Sequence, residues 1–570
     1  AELLLKTVDN VRPEFVQPVM RDINSAMLTM QVRLAVTATR ARRPKQQSSS
    51  EHRSSKARGD DDEELERQRR IVNRVCGLVR DEQVGKARRA LEEQNPLPPA
   101  DTVAKKLMKL HVPPPGSTPF DSSTNPAACY NFNSTETEIL ERVKSETVKP
   151  PEPDEVRKML LNMKNAAPGP SNLSARHLLV AIDKSPAFAD RLCKILAAIC
   201  NNDVTPELRA HLIAGSLIAL GKPVEADGEF GVRPIAMGET LLKVCFGLLL
   251  KRRAEKIVEF LLPEQYGVNI SRGTEILIHE LRALVDRNGT VVAIDIESAY
   301  QHASRCRIVE VIRDPAHADR FAQFRRIFDL AYGQVAPLIY KKRRAAGAAA
   351  AATTHEQPVP DDGFVEDLAD FVMSNEELLI LFSSEGMRQG CVFGPVGFCI
   401  AINDTLKKFA ATYKNHVTLR AFFDDMCITC KDGSREQNLT LLAAYDDLKE
   451  KLKNECNLTI NARKCTVYRH DWSGVTELVH EWESRGIKVC SGGFKYLGAY
   501  IGTDDYIRDM LNDKIKSYKS YFEMLDLLPP QYRLVISRLT GCAPRVNYLL
   551  RVTPEKLTHD FVADVDHFLD

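Results

Sequence analysis

The sequence predicts a mixed helix-and-sheet chain of the α/β (α+β) class, divided into several subdomains. Three observations carry that expectation. At 570 residues the chain is longer than one hydrophobic core fills. Stretches with apolar residues every three or four positions read as helices, and they are interspersed with short β-prone runs. The two strongest of those runs, 290–294 and 419–430, are each broken by aspartate.

Taken in order, residues 1–39 read as helical, with Val16, Val19, Met20, Ile23, Met27 and Met30 at spacings of three and four. The composition then turns polar and charged, and 40–70 is read as a disordered linker whose basic half suits a localisation signal or an RNA-touching arm. Helical pattern resumes in the extension 71–135, through IVNRVCGLVRDEQVGKARRALEEQ and AKKLMKLH, and ends in a Pro/Ser/Asn-rich connector. A low-complexity stretch, 341–364, reads as a surface insertion.

Composition excludes several classes. Apolar content of 44% and charged content of 27% are ordinary for a globular protein. No apolar run is long enough to span a membrane and no signal peptide is evident, so no membrane partner is expected. The chain opens on Ala1 without an initiator Met, which suggests a piece of a longer protein. Fourteen cysteines without paired spacing fit a reduced, intracellular setting. The one C-x-x-C, Cys427 and Cys430, lies in a β-like run where its side chains point to opposite faces, which argues against a metal or redox role. A net charge of +1 means that a nucleic-acid surface must gather its basic residues locally.

The chemistry rests on carboxylates. In LRAFFDDMCITC, Asp424 and Asp425 interrupt an apolar, β-prone run and fit a tight hairpin with both at its tip. Two like charges held together repel, which a divalent cation relieves. Asp295 ends a second buried-strand run in TVVAIDIESAY. Meeting at one sheet edge, the three would suit phosphoryl transfer by two Mg²⁺ ions about 3.5–4 Å apart. No His cluster competes for a zinc reading. Between them, EGMRQGCVFGPVGF offers a glycine-rich entry to a helix through Gly386, Gly390 and Gly394.

In this order the segments resemble the reverse transcriptase family, specifically the non-LTR (LINE-type) retrotransposon polymerases, over about Arg157 to Arg551. LNMKNAAPGPSNLSARHLL looks like the motif preceding the fingers, and SLIALGKPVEADGEFGVRPIAMGETLLKV like the fingers hairpin. VVAIDIESAY, GMRQGCVFGP and AFFDD resemble successive palm motifs, followed by NLTINARKC, GGFKYLGAYIG and the early thumb segment GCAPRVNYLLRVTP. GKARRALEEQ and the thumb segment look most like site-specific elements that carry a restriction-like endonuclease. The resemblance implies a right-hand polymerase: fingers over 136–289, a palm with a ferredoxin/RRM-like antiparallel sheet over 290–503, and a helical thumb over 504–570.

It also implies residue roles. Asp295, Asp424 and Asp425 would hold two Mg²⁺ ions, with Mn²⁺ as substitute, and Tyr300 would be the steric gate against a ribose 2′-OH. Lys222 and Arg233, on the two arms of a hairpin turning at Asp227-Gly228, would grip the triphosphate. Gln389 and Gly390 would lie against nucleotide and template, Lys464 would protonate pyrophosphate, and Gly498 would belong to the primer grip. Phe423 stands where such enzymes usually have Ala, which puts primer geometry in question. The implied activity is RNA-directed DNA polymerisation from dNTPs in the nucleus, on an RNA template with a DNA primer or target (target-primed reverse transcription). The alternatives are a group II intron maturase-like enzyme and a non-catalytic RNA-binding protein of the same fold.

Overall fold

Among the described residues the β-prone runs form three sheets, and helices pack around them. The computed structural model describes residues 60–80, 83–92, 100–111, 147–224, 230–341, 378–431, 433–541 and 543–567. The helix expected over 1–39, the linker up to residue 59, the connector and the 227–228 turn lie outside the described residues, as does the 341–364 insertion beyond Lys341.

The chain enters through α1 (Asp60–Arg80), α2 (Val84–Leu91) and α3 (Ala100–Leu110). The linker expected over 40–70 is therefore helical from Asp60 onward. Next come α4 (Pro153–Asn162), α5 (Ala175–Lys184), α6 (Pro186–Cys200) and α7 (Pro206–Ile213). Their starts are set by local chemistry. Ser174, Ser185 and Thr205 each accept a backbone N–H of the first turn, and Pro186 and Pro206 occupy positions where no N–H is needed.

β1 (Gly215–Val224) and β2 (Phe230–Gly238) make an antiparallel hairpin. After it run α8 (Thr240–Arg252), α9 (Ala254–Leu261) and α10 (Gly273–Val285), then β3 (Thr290–Ile294). Four helices follow: α11 (Ala299–His302), α12 (Arg305–Arg313), α13 (Ala318–Phe321) and α14 (Arg325–Tyr332). β4 (Ala336–Lys341) and β5 (Leu378–Ser383) lead into α15 (Gly394–Thr412). The boundary drawn at 289/290 does not divide the sheets. β4 pairs in parallel with β1, giving one four-stranded sheet of order β2-β1-β4-β5. Leu217, Ala236, Leu338 and Leu381 of this sheet are buried together with Val103 and Leu107 of α3.

The carboxylates lie on a different sheet. β6 (Val417–Phe422) and β7 (Asp425–Cys430) form a hairpin, α16 (Arg435–Cys456) crosses over, and β8 (Thr466–Tyr468) returns beside β3. The order is β6-β7-β3-β8-β9, with β9 (Lys488–Cys490) parallel to β8. The sheet is thus not wholly antiparallel as expected. α17 (Thr476–Ser484), between β8 and β9, supplies the crossover that a parallel pair requires. β3 sits in the centre with strands on both sides, which explains why TVVAI is almost continuously apolar. Cys430 packs into the large core under the sheet and Cys427 into the cluster on its other side, so the two thiols face apart.

A small hairpin, β10 (Gly493–Tyr496) with β11 (Ala499–Gly502), leads into α18 (Asp504–Asp526), α19 (Pro530–Ile536), α20 (Ala543–Val552) and α21 (His559–His567). Thr503 caps α18, with Asp504 and Asp505 at its positive end. Tyr518, Tyr521, Phe522 and Leu525 of α18 share a core with Val75 and Cys76 of α1 and Ala87 and Leu91 of α2. Arg80 also donates to the Tyr532 hydroxyl at 2.7 Å.

Candidate active site

The register of β3 and β7 brings the distant aspartates together. Ile294 pairs with Met426, so Asp295 and Asp425, one step further along each antiparallel strand, face each other at the same sheet end. Phe422 pairs with Asp425 on the other side, leaving Phe423-Asp424 as the two-residue turn. The tip is therefore Phe423 and Asp424, and Asp425 is the first residue of β7. Phe423 has a left-handed backbone (φ 57°), as a two-residue hairpin turn demands at its first position. Asp295 is fixed by its own backbone: its carbonyl accepts Asn461 N–H at 2.9 Å and its N–H donates to the Cys465 sulfur at 3.4 Å.

The electrostatics report the same proximity. Surrounding protein, then the charges of Asp424 and Asp295, push Asp425 up to about 6, although one side of the carboxylate faces solvent. Burial also raises Asp424, against the pull of Arg233 and Lys222 on the β1–β2 hairpin. Burial, then Asp424, Cys399 and Asp425, drives the Tyr300 phenol upward. Tyr300 thus stands beside the carboxylates, its ring stacked on Phe398 with centroids 5.4 Å apart.

The donor set defines what could bind. Two thiols lie near, but burial holds Cys399 well above its usual range and Cys465 up to about 11, so both stay protonated at neutral pH. What remains is oxygen from carboxylates, which suits a hard divalent cation. Among the described residues no three His, Cys, Asp or Glu side chains form a ready-made cage. An open set of this kind fits an ion that keeps water and takes phosphate oxygens from its substrate.

The other expected residues fall around this point. Lys222 and Arg233 lie on opposing strands, Arg233 paired with Leu220 and Lys222 packed over Gly231. The Gln389 carbonyl accepts the Ala236 N–H at 2.6 Å, and Gly390 (φ 101°) lies so close to the Ala236 carbonyl that a side chain would strike it. The Gln389 Oε1 is buried without a hydrogen-bond partner among the described residues, a cost of about 1–3 kcal/mol that a bound donor would relieve. Gly498 (φ 81°) and Leu497 (φ 46°) turn the β10–β11 hairpin. The preceding Tyr496 hydroxyl donates to the Asp425 carbonyl at 3.3 Å, and the Tyr548 hydroxyl of α20 donates to the Leu497 carbonyl at 2.7 Å. Lys464 is exposed on the one-turn helix Ala462–Lys464, which follows directly from Asn461.

Sequence reasoning missed Gln265. Its segment runs beside β6, with the Tyr266 N–H on the Ala421 carbonyl and the Ala421 N–H on the Glu264 carbonyl, both at 2.7 Å. The buried Gln265 then clamps the turn: Oε1 accepts Phe423 N–H at 2.7 Å and Nε2 donates to the Phe423 carbonyl at 3.1 Å. The Phe423 ring is packed over Gly267, where any Cβ would collide with it, so the bulky residue is accommodated by a neighbour without one. The only signal was a polar residue beside Gly267 in LPEQYG, too weak to read alone. Gln265→Leu leaves both backbone groups of Phe423 unpaired, and the chemical step is expected to slow on the order of tenfold or more while the protein stays folded. Single-turnover kinetics alongside a melting curve checks this, and an unchanged rate constant would remove Gln265 from the site.

With this geometry in place, the family comparison falls on part of the same region. Residues 348–501, which include Asp424 and Asp425, match the family model of reverse transcriptases, RNA-dependent DNA polymerases. Over 300 residues the chain is 25% identical to the retrotransposable element SLACS 132 kDa protein of Trypanosoma brucei gambiense. That similarity covers 52% of this chain but only 20% of the relative's length. A solved structure of apo telomerase from Candida tropicalis, truncated from the C-terminal domain, shares 13% identity and a TM-score of 0.30, with 51% of this chain and 53% of that one covered. Residues 348–501, the carboxylate hairpin among them, thus match a reverse transcriptase domain, a family whose chemistry depends on divalent metal and whose template is RNA. The SLACS protein to which the chain is similar is the product of a retrotransposable element.

Proposed function

We propose that this chain extends a DNA primer on an RNA template by transferring nucleotides from dNTPs, with Asp295, Asp424 and Asp425 holding two Mg²⁺ ions. The observation that carries the reading is the mutual charge of those three side chains at one sheet end. When bound, the cations supply charge neutralisation at the reacting phosphate and a more acidic primer hydroxyl.

The chain's own residues do the rest. Lys222 and Arg233 collect the triphosphate, both close enough to Asp424 for their charges to act on it. Tyr300, braced by Phe398, fills the space beside the sugar and excludes a 2′-OH. Gln389 and Gly390 lie along the base and the template, and the Gly498 hairpin bears on the primer end beside Asp425. The primer 3′-hydroxyl gives up its proton to solvent and its oxygen forms a bond to the α-phosphorus as the bond from that phosphorus to the β-bridging oxygen breaks. Pyrophosphate leaves with a proton donated by the Lys464 Nζ. The RNA–DNA hybrid is held through its backbone, because a polymerase must accept any sequence.

The segment GKARRALEEQ, whose first seven residues lie in α2, supports a place among site-specific elements with a restriction-like endonuclease. A non-catalytic scaffold of this fold would have no reason to retain three mutually repelling carboxylates.

Primer extension on poly(rA)/oligo(dT) tests the reading. With Mg²⁺ the expected product is a dTTP-dependent ladder. No extension with Mg²⁺ or Mn²⁺, from protein that still binds the RNA, would overturn it.

A further inference from the structure

The loop Glu385–Cys391 carries Gln389 and Gly390, yet it belongs to no sheet and its two glycines at 386 and 390 have positive φ. Left to itself such a loop samples many conformations. What fixes it is a pair of buried arginines. Arg305, at the start of α12, is fully buried. Its Nε donates to the Gly386 carbonyl at 2.9 Å, and its Nη2 to the Ser383 Oγ at 2.8 Å and to the Ser383 and Glu385 carbonyls at 3.3 Å. Its backbone N–H donates to Glu385 Oε1 at 2.7 Å. Arg388, within the loop and 7% exposed, donates through Nη1 to the Ile213 carbonyl at 2.5 Å and through Nη2 to the Ala331 carbonyl at 2.9 Å. Those carbonyls belong to the last turns of α7 and α14, where the helix dipole favours a cation. Both guanidiniums also lie on the fully buried Tyr332 ring, at 4.6 Å for Arg388 and 5.1 Å for Arg305.

Two buried cations on one ring are an expensive way to hold a loop when apolar packing would serve. Their planar forks do something apolar packing cannot, which is to fix direction. Arg388 ties the residue before Gln389 to the end of α7, two residues ahead of β1. Because β2 is paired to β1, the loop and the Arg233 hairpin are set against each other. They are linked directly by the Ala236 N–H on the Gln389 carbonyl, with Gly390 close against the Ala236 carbonyl.

We infer that Arg388 and Arg305 are positioning residues that set Gln389 and Gly390 against the Arg233 hairpin, and that this spacing determines how tightly the incoming nucleotide is held. The inference rests on the polymerase reading given above. Arg388→Lys keeps the charge and loses the planar two-point grip. It is expected to raise KM for dNTP on the order of tenfold with kcat nearly unchanged and primer–template affinity intact. Arg388→Met is expected to exceed it. Hydrogen exchange supplies a readout independent of activity. The Ala236 amide faces the Gln389 carbonyl, so its exchange in Arg388→Lys should accelerate while the flanking β2 amides keep their protection. Ser383→Ala removes one acceptor from Arg305 without altering either guanidinium, and keeps the test decisive if Arg388→Lys does not fold; it should show the same two changes to a smaller degree. Wild-type KM together with wild-type Ala236 exchange, in whichever of these variants folds, would overturn the inference. Failure of the wild-type chain to extend any primer would sink the polymerase reading instead, and amide exchange would still decide the positioning.

Discussion

Asp425→Asn is expected to abolish primer extension, by about 10³-fold or more, while raising the melting temperature of the metal-free protein at neutral pH. Both effects come from one fact: the protein around Asp425 and the charges of Asp424 and Asp295 hold its carboxyl at about 6, against an ordinary 3.8. Between those values the folded chain keeps a proton that the unfolded chain releases. Stability therefore falls as pH rises through that window, and the full penalty stands above pH 6. Asparagine carries no charge and escapes it. Added Mg²⁺ should raise the melting temperature of the wild-type chain by linkage and leave Asp425→Asn almost unmoved. Calorimetry in chelator and in Mg²⁺, paired with primer extension, reads all of this. A variant that still extends primers, or that melts lower than wild type in chelator at pH 7, would contradict the assignment. The same asymmetry predicts that the Mg²⁺ concentration needed for activity rises as pH falls through 6, because a proton then competes with the cation. Asp424→Asn should likewise stop synthesis with RNA binding intact.

Tyr300→Val is expected to lower discrimination against ribonucleotides on the order of 10²-fold, measured as the ratio of kcat/KM for dTTP to that for UTP. The ring is stacked on Phe398 at 5.4 Å, and the carboxylates are near enough for their charges to act on its hydroxyl. It cannot rotate away to admit an extra oxygen without losing that stack. Valine removes the ring and leaves the α11 backbone, whose Tyr300 carbonyl accepts the Met387 N–H, in place. An unchanged ratio would take the gate role from Tyr300.

How much of this was legible in the sequence varies with the range of the forces involved. The carboxylate positions were readable because a strand that is buried on both faces must be apolar, and Asp295 and the 424–425 pair are conspicuous interruptions. The hairpin's tip was off by one residue. Nothing in FFDD alone says that Phe423 takes the left-handed turn position; that follows from Gln265 gripping its backbone 158 positions away. The sheet partition was misdrawn for a similar reason. β4 joins β1 in parallel, and a parallel partner leaves no turn signature between the two strands. The buried arginines were invisible, since a lone Arg in a polar loop reads as surface until the surrounding carbonyls are known.

The packing of α1 and α2 onto the four C-terminal helices has a practical consequence. Arg80 meets Tyr532 across 452 positions of chain, and Val75 is as fully enclosed as Ile536. A shortened protein designed to begin after residue 92 would keep every group credited with chemistry, yet would leave Tyr518, Phe522 and Leu525 without part of their apolar cover. Tyr548 reaches from that same helical cluster to the hairpin touching Asp425, so loosening at one extremity would be felt at the growing DNA end.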